Sequence, residues 1–190
     1  MKRDAKEKLC EAALRLAAKK SWNTLTLEQI ASAAKISRAQ LQKIISEKNK
    51  LLPLIVDFIG ERTAAGVGKI NPREAAHDRL FQVMMARFDV LQDYRAGILS
   101  LFEEFRRDPS LARLILPAQI QSMQTALKIA HLELSGITSQ LSAFGLLAVY
   151  YRALWCWKKD QTQDMSRTMA ALAQGLRCAD RLAAILLRVS

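Results

Sequence analysis

The chain contains few of the residues that bend or cross-link a backbone. Its 190 residues include seven glycines, four prolines and three cysteines, and aromatic residues make up only 6%. So little glycine and proline argues against an all-β domain with many tight turns and against long flexible linkers. Hydrophobic residues make up 51% of the chain, which is enough to bury the core of one or two small domains. We expect an all-α protein.

The sequence shows no signal for export or for a disulfide-stapled fold. Cys10, Cys156 and Cys178 are odd in number and far apart, so they predict neither a disulfide framework nor a zinc knuckle. Residues 1–8 are basic, but no apolar run with a small-residue cleavage site follows them. We therefore expect reduced thiols and a cytoplasmic location.

A long hydrophobic run is also missing. The most apolar stretch, residues 141–157, is slightly short for a bilayer span and contains Arg152. A buried helix is the better interpretation of this stretch. We predict no stable membrane insertion.

Motifs typical of enzymes are absent from the sequence. It has no glycine-rich phosphate loop and no pair of histidines at metal-binding spacing, and its two histidines, His77 and His131, are not placed beside a candidate nucleophile. Only residues brought together from distant parts of the chain could form a catalytic site. We predict no enzymatic activity, no metal and no cofactor.

The positive charge is concentrated near the amino terminus. Residues 1–52 hold 12 Lys or Arg against 5 Asp or Glu, whereas the remaining residues hold 17 against 13. A cationic surface of this kind attracts polyanions through counterion release. Double-stranded DNA and an anionic membrane would both satisfy this charge.

Residues 25–52 carry two short helix signatures and the start of a third helix. Thr26 can cap the first helix in a capping box with Gln29, and Ser37 can cap the second. The residues predicted to point inward are Leu27, Ile30, Ala31 and Ala34 in the first helix and Leu41, Ile44 and Ile45 in the second. Those predicted to point outward from the second helix are Arg38, Ala39, Gln40, Gln42 and Lys43. A short, polar and basic outward face is typical of a DNA recognition helix.

This arrangement resembles the amino-terminal domain of the TetR family of bacterial repressors. The pieces that carry the resemblance are LEQIASAAKIS and ISEKNKLL, which follow an amphipathic helix over about residues 4–20. The resemblance implies about nine helices, with a three-helix helix-turn-helix domain at residues 1–47 and a helical ligand-binding and dimerisation domain at 48–190. It also implies a phosphate contact by Lys48. The predicted DNA-binding residues are Thr26, Ser37, Arg38, Ala39, Gln40, Gln42, Lys43 and Lys48.

The chain departs from the family pattern at three positions. Lys35 stands where the family usually has glycine, in a turn that favours a left-handed backbone. Gln42 and Ile45 stand where the recognition helix usually has a tyrosine and, three residues later, a phenylalanine. Ile45 can still supply an apolar contact and Gln42 can still donate to a phosphate.

Glycine and proline residues divide the remaining sequence into further predicted helices. A connecting helix over about 48–65 ends at Gly66 and Gly68, and Asn71-Pro72 is predicted to open the next helix, which runs to about residue 92. Pro117 is predicted to kink or interrupt its helix. The other predicted helices span about 94–107, from Pro109 onward, and about 164–187. Gly136, with Thr138 or Ser139 after it, is predicted to separate the helix that starts at Pro109 from an apolar helix that ends near Lys158.

The last two predicted helices interleave small and large apolar residues, which lets helices approach closely. We predict a homodimer through these two helices, and an intramolecular core is the alternative. The small residues are Ala143, Gly145, Ala148, Ala153, Ala170, Ala171, Ala173, Gly175, Ala179, Ala183 and Ala184, and the large ones are Leu146, Leu147, Leu172, Leu176, Leu182 and Leu186.

The second domain is rich in large, adaptable apolar side chains. The resemblance implies that a small apolar ligand binds there, although such residues at helical spacing also serve as ordinary core. The predicted ligand-binding residues are Met84, Phe88, Phe102, Phe105, Met123, Tyr151 and Trp155, with His77, His131 and Arg152 as polar candidates.

The sequence therefore predicts a homodimeric repressor that binds a double-stranded DNA operator and is released by a small apolar ligand. A lipid-binding protein is the alternative. The run YYRALWCWKKDQTQDMSRTMAAL loosely resembles the end of a ubiquinone-biosynthesis family that has a TetR-like fold and does not bind DNA.

Overall fold

The protein is all-helical throughout the part of the chain that the structure describes. This computed structural model describes residues 2–132, 134–162 and 164–189, with the side chains of residues 2–3 and 182–189 left aside. Within those ranges it has nine α-helices, two 3₁₀ turns and no strand, which confirms the predicted fold class. The helices are α1 (Lys2–Ala17), α2 (Leu27–Ala33), α3 (Arg38–Ile44), α4 (Leu51–Gly66), α5 (Ala76–Asp93), α6 (Arg95–Arg107), α7 (Pro109–Ile129), α8 (Gly136–Lys159) and α9 (Ser166–Val189), and the 3₁₀ turns are Trp22–Thr24 and Lys48–Lys50.

The helices pack as two compact units. Unit 1 comprises Met1–Glu61 and Asp89–Gln119, and unit 2 comprises Arg62–Phe88 and Ile120–Ser190. The boundaries between the units fall within α4, α5 and α7. These units reflect packing, whereas the division predicted at residues 47 and 48 is a functional one and stays a prediction.

Unit 1 is built around the contact between α1 and α6. Leu9, Ala13 and Leu14 on α1 are fully buried. The two helices approach so closely at Gly97 that a Cβ atom there would lie 2.9 Å from the carbonyl carbon of Leu14 and would collide with the carbonyl oxygen. Glycine is therefore required at position 97 by lack of space.

Unit 2 is dominated by the packing of α8 on α9. Ala143, Ala153 and Leu172 are fully buried, and a Cβ atom at Gly175 would lie 2.7 Å from Cγ1 of Val149. Much of the predicted set of small and large residues thus serves packing within one chain, which was the alternative considered from the sequence. Four members of that set, Leu182, Ala183, Ala184 and Leu186, lie outside the described side chains.

The turn between α8 and α9 is held by the buried Asp160. Its carboxylate accepts hydrogen bonds from the backbone N–H and hydroxyl of Thr168, at 2.8 and 2.9 Å, and from the backbone N–H and hydroxyl of Thr162, at 3.1 and 2.6 Å. Burial alone would raise the pKa of Asp160, but these hydrogen bonds to the ionised form hold it well below its usual range. The carboxylate therefore fixes the first turn of α9.

The predicted start of α5 was wrong. Asn71 and Pro72 do not open α5, because the Asn71 side-chain oxygen accepts from the Arg73 N–H at 3.1 Å and closes a local turn, and the helix begins only at Ala76. Of the two outcomes predicted for Pro117, interruption of the helix does not occur, because α7 continues through it from Pro109 to Ile129, and a kink stays a prediction. The start of α7 at Pro109 is as predicted, whereas α8 begins at Gly136 itself, which was predicted to separate α7 from α8.

Candidate nucleic-acid interface

Both helices of the helix-turn-helix begin with a complete capping box. Thr26 Oγ1 accepts from the Gln29 N–H at 3.2 Å, and Gln29 Oε1 accepts from the Thr26 N–H at 3.1 Å. Ser37 and Gln40 repeat the same exchange at 3.2 and 3.0 Å. These bonds satisfy backbone groups that a helix start otherwise leaves unpaired. The sequence prediction is confirmed for Thr26 and extended for Ser37, whose capping partner had not been identified.

The turn between α2 and α3 adopts the left-handed backbone expected at its centre. Lys35 has a φ of 56°. Its N–H donates to the Ser32 carbonyl at 3.0 Å, and the Ile36 N–H donates to the Ala31 carbonyl at 3.0 Å. A lysine in this conformation carries a strain that a glycine would not.

The outward side of α3 is free of contact with the core. Arg38, Ala39, Gln40, Gln42 and Lys43 are all exposed, as is the capping residue Ser37. The inward residues are Leu41 and Ile45, which are buried, and Ile44, which is half-buried. The structure thus brings the predicted base-facing residues onto one accessible surface and Thr26 onto the start of the adjacent helix.

The side-chain oxygen of Gln40 is occupied by hydrogen bonds that cap α3. Its Oε1 atom accepts from both the N–H and the hydroxyl of Ser37, at 3.0 and 3.1 Å. A DNA base would therefore meet the amide NH₂ group of Gln40 and not its oxygen. Base reading by Gln40 stays a prediction.

Lys48 contacts the segment between α1 and α2. Its Nζ atom donates to the carbonyls of Trp22 and Leu25 at 2.8 and 2.9 Å, with the Asn23 carbonyl at 3.4 Å, and lies 5.6 Å from the centre of the Trp22 ring. Partial burial lowers the pKa of Lys48, and the nearby Glu104 carboxylate offsets part of this effect. The predicted phosphate contact by Lys48 therefore competes with contacts inside the protein.

A buried carboxylate from α6 holds the same part of the chain. Glu104 is 2% exposed and accepts from Ser21 Oγ and Asn23 Nδ2, each at 2.7 Å, and from Arg107 at 3.3 Å. Trp22, fully buried, donates from its indole N–H to Asn49 Oδ1 at 3.1 Å. Sequence reasoning missed Glu104 because its helix, read alone, offers no sign that this acid points inward.

The predicted ligand-binding residues are divided between the two units and differ in exposure. Met84, Phe88 and Met123 are fully buried in unit 2, whereas Phe102 and Phe105 are half-buried and belong to unit 1. Tyr151 and Trp155 are exposed on α8. Of the polar candidates, His77 contacts Asp78 and Asp180, His131 is exposed, and Arg152 donates to Gln174 on α9 at 2.8 Å.

A groove in unit 1 lies away from those residues. It has a volume of about 440 Å³ and is open to solvent where α1 meets the start of α6. Glu11, Arg15 and Arg95 are among the residues that line it, and the predicted ligand-binding residues are not.

An exposed apolar stripe runs along α8. Its members recur at alternating spacings of four and three residues, which is the repeat of a helix that packs against a partner helix. We call these residues the α8 stripe: Ile137, Leu141, Phe144, Ala148, Tyr151 and Trp155. The sequence prediction had placed the association surface among small residues, several of which the α8–α9 contact buries.

Positive charge lies at one end of the α8 stripe, because the ammonium groups of Lys158 and Lys159 lie 5.8 and 5.1 Å from the Trp155 ring. Among the described residues, no helix is both long and apolar enough to cross a membrane.

Comparisons with known proteins agree on the fold. No family model matches the sequence, and no curated protein sequence matches it either. Among solved structures, a TetR transcriptional regulator from Nitrosomonas europaea ATCC 19718 is similar with a TM-score of 0.70 and 18% identity, over 92% of this chain and 97% of that one. A TetR-family regulator from Streptomyces coelicolor has a TM-score of 0.60 and 17% identity, over 98% and 88%, and one from Rhodococcus sp. RHA1 has 0.57 and 17%, over 92% and 96%. The chain therefore has the fold of the TetR-type transcriptional regulators.

Proposed function

We propose that the protein is a DNA-binding transcriptional regulator that inserts α3 into the major groove of a double-stranded operator. The observation that carries the proposal is the outward face of α3, which is exposed, polar and basic and starts from a closed capping box. The excess of Lys and Arg in residues 1–52 supports it, because such charge draws a protein to the phosphate backbone. Arg38 and Lys43 are the residues whose charge we expect to meet the DNA.

Binding to duplex DNA tests this function directly. Genomic fragments retained by the purified protein would be sequenced, and affinity for the enriched duplex would be measured by fluorescence anisotropy across a salt series. We expect Arg38→Ala to weaken the selected duplex by about 1–3 kcal/mol if Arg38 contacts a base, with a smaller effect on random duplex. Lys69→Met, which removes one exposed positive charge outside the helix-turn-helix, is the control.

The result against the function is equally clear. If no genomic fragment is enriched over random duplex, or if Arg38→Ala and Lys69→Met behave alike, α3 does not read DNA.

We further propose that two copies associate through the α8 stripe, so that the two α3 helices read the halves of a pseudo-palindromic site. The stripe leaves large apolar side chains in water, with Ile137 76% exposed and Trp155 62% exposed. Contact with a second copy would remove this area from water, which stabilises association.

The regulatory ligand, in this proposal, is a small apolar molecule that binds in unit 2 and releases the DNA. Met84, Phe88 and Met123 are the candidate lining residues, since they form the fully buried part of the predicted set. Linkage requires that such a ligand and the operator weaken each other's binding by the same factor.

Mass spectrometry of molecules that co-purify with the protein identifies candidate ligands. Operator affinity would then be measured with and without each candidate. Loss of DNA affinity on adding the molecule supports a ligand-released repressor. A tightly held lipid together with no DNA binding would instead support the lipid-binding alternative.

A further inference from the structure

The segment of residues 21–25, which joins α1 to α2, is held from two sides. On one side, Glu104 of α6 accepts hydrogen bonds from the side chains of Ser21 and Asn23. On the other, Lys48 donates to the carbonyls of Trp22 and Leu25. Glu104 binds side chains of the segment, whereas Lys48 binds its main-chain oxygens. Neither contact can therefore replace the other.

The contacts of Lys48 are those of a structural lysine. An ammonium group has three N–H donors, and three carbonyls lie within 3.4 Å of Nζ. If Lys48 turned to a phosphate, the carbonyls of the buried residues Trp22 and Leu25 would lose their charged donor, which costs the energy of those hydrogen bonds. Lys50, two residues on, is exposed and pairs with Glu47 at the surface.

We propose that Lys48 and Glu104 are positioning residues for DNA binding, which together fix the segment 21–25 and hence the start of α2 at Thr26. Thr26 follows this segment directly and begins the helix against which α3 packs. Lys48 thus contributes to DNA affinity through the arrangement of the helices and makes no phosphate contact. The inference rests on the proposed DNA-binding function.

Charge changes of opposite sign make the proposal testable. Lys48→Met removes a positive charge, whereas Glu104→Gln removes a negative one and, on electrostatics alone, should strengthen DNA binding. We expect both variants to weaken the selected duplex about tenfold without changing the slope of log affinity against log salt. Lys43→Met, at an exposed residue of α3, is the positive control and should lower that slope by about one unit.

Hydrogen exchange supplies a readout that does not depend on DNA. The amides of Thr24 and Leu25 donate to the carbonyls of Ser21 and Trp22 and report on order in the segment. We expect exchange at these amides to be at least about tenfold faster in Lys48→Met and Glu104→Gln and unchanged in Lys50→Met, which removes the same charge nearby. Ser21→Ala, which deletes one bond to Glu104, is a milder variant should Glu104→Gln fail to fold.

The exchange rates and the salt slope together test the positioning role of Lys48 and Glu104. Faster exchange with an unchanged salt slope supports the positioning role, and the combined loss in the Lys48→Met, Glu104→Gln double variant should be smaller than the sum of the single losses. A salt slope that falls by about one unit in Lys48→Met with exchange unchanged overturns it and establishes a phosphate contact. If the wild-type protein binds no duplex, the proposed function fails together with the role in DNA binding, while faster exchange would still identify the two contacts as structural.

Discussion

Within the helix-turn-helix, Lys35 has a backbone conformation that is unfavourable for a residue with a side chain. Its φ of 56° places a side chain where glycine is favoured. We expect Lys35→Gly to be more stable than Lys35→Ala by about 1 kcal/mol, since the two differ mainly in how well they tolerate this conformation. Urea unfolding of the two variants measures the difference.

Lys43 provides a matched control for that comparison. It is exposed within α3, where the backbone is helical, so Lys43→Gly should be less stable than Lys43→Ala by about 1 kcal/mol. Opposite signs at positions 35 and 43 are the expected result. The same sign at both would mean that the strain at Lys35 is relieved in solution.

Asp160 should make the stability of the protein depend on pH in acid. Because hydrogen bonds hold its pKa in the folded state below the ordinary value of 3.8, its contribution is fully present above pH 4 and is lost as the pH falls below that. Asp160→Asn should cost about 3 kcal/mol at pH 7, since the amide cannot accept four hydrogen bonds.

Denaturant unfolding at pH 7 and pH 3 tests this expectation. The difference between wild type and Asp160→Asn should shrink at pH 3. Asp164→Asn is the control, because the exposed Asp164 accepts one hydrogen bond, from Ser166, in the same turn. An Asp160→Asn cost that does not change with pH would contradict the role of the ionised carboxylate.

The contact between α1 and α6 leaves no space for a side chain at Gly97. A methyl group at Gly97 would meet backbone atoms of Leu14, which cannot rotate away as a side chain could. We expect Gly97→Ala to destabilise the protein by about 1–3 kcal/mol. Thermal unfolding measures it, with Gly66→Ala as control, because a Cβ atom at Gly66 would have no neighbour within 4 Å. Equal effects of the two would show that α1 and α6 can separate at little cost.

The sequence predicted those elements whose determinants are local. The starts of α2 and α3 were accessible because a capping box acts within four residues, and the inward face of α3 followed from its spacing. Asn71 misled the prediction for α5, because the same asparagine can cap a helix or close a turn, and nothing local decides between them. The helical continuation of α7 through Pro117 was likewise not decided locally.

Parts of the candidate site depend on residues that are far apart in the chain. Glu104 binds Ser21 and Asn23 across 83 and 81 residues, so no window of sequence reveals that it is buried. The small residues of α8 and α9 predicted a close approach of helices, but not that Gly175 would meet Val149 of the same chain. Pairing between distant segments is set by the whole fold and has no local signature.

At the scale of the whole molecule, the α8 stripe predicts the oligomeric state. Phe144→Glu would bury an unpaired charge if two copies meet there, so we expect it to weaken the dimer at least about a hundredfold. Sedimentation velocity at micromolar concentration measures this. Leu116→Glu changes an exposed leucine of α7 outside the stripe and should leave the dimer intact.

Two results would contradict this expectation. A wild-type protein that stays monomeric removes the dimer altogether. A dimer that survives Phe144→Glu but not Leu116→Glu would move the interface from α8 to α7.

The capping box of α3 bears on how the proposed DNA specificity could change. Because Ser37 and Gln40 fix the start of α3 by bonds within the helix itself, the neighbouring outward positions take no part in holding it in place. Arg38, Ala39, Gln42 and Lys43 can thus be exchanged for other residues while the helix keeps its orientation. Under the proposed DNA-binding function, single substitutions at these positions would therefore change which operator sequence is bound and leave the rest of the domain unchanged.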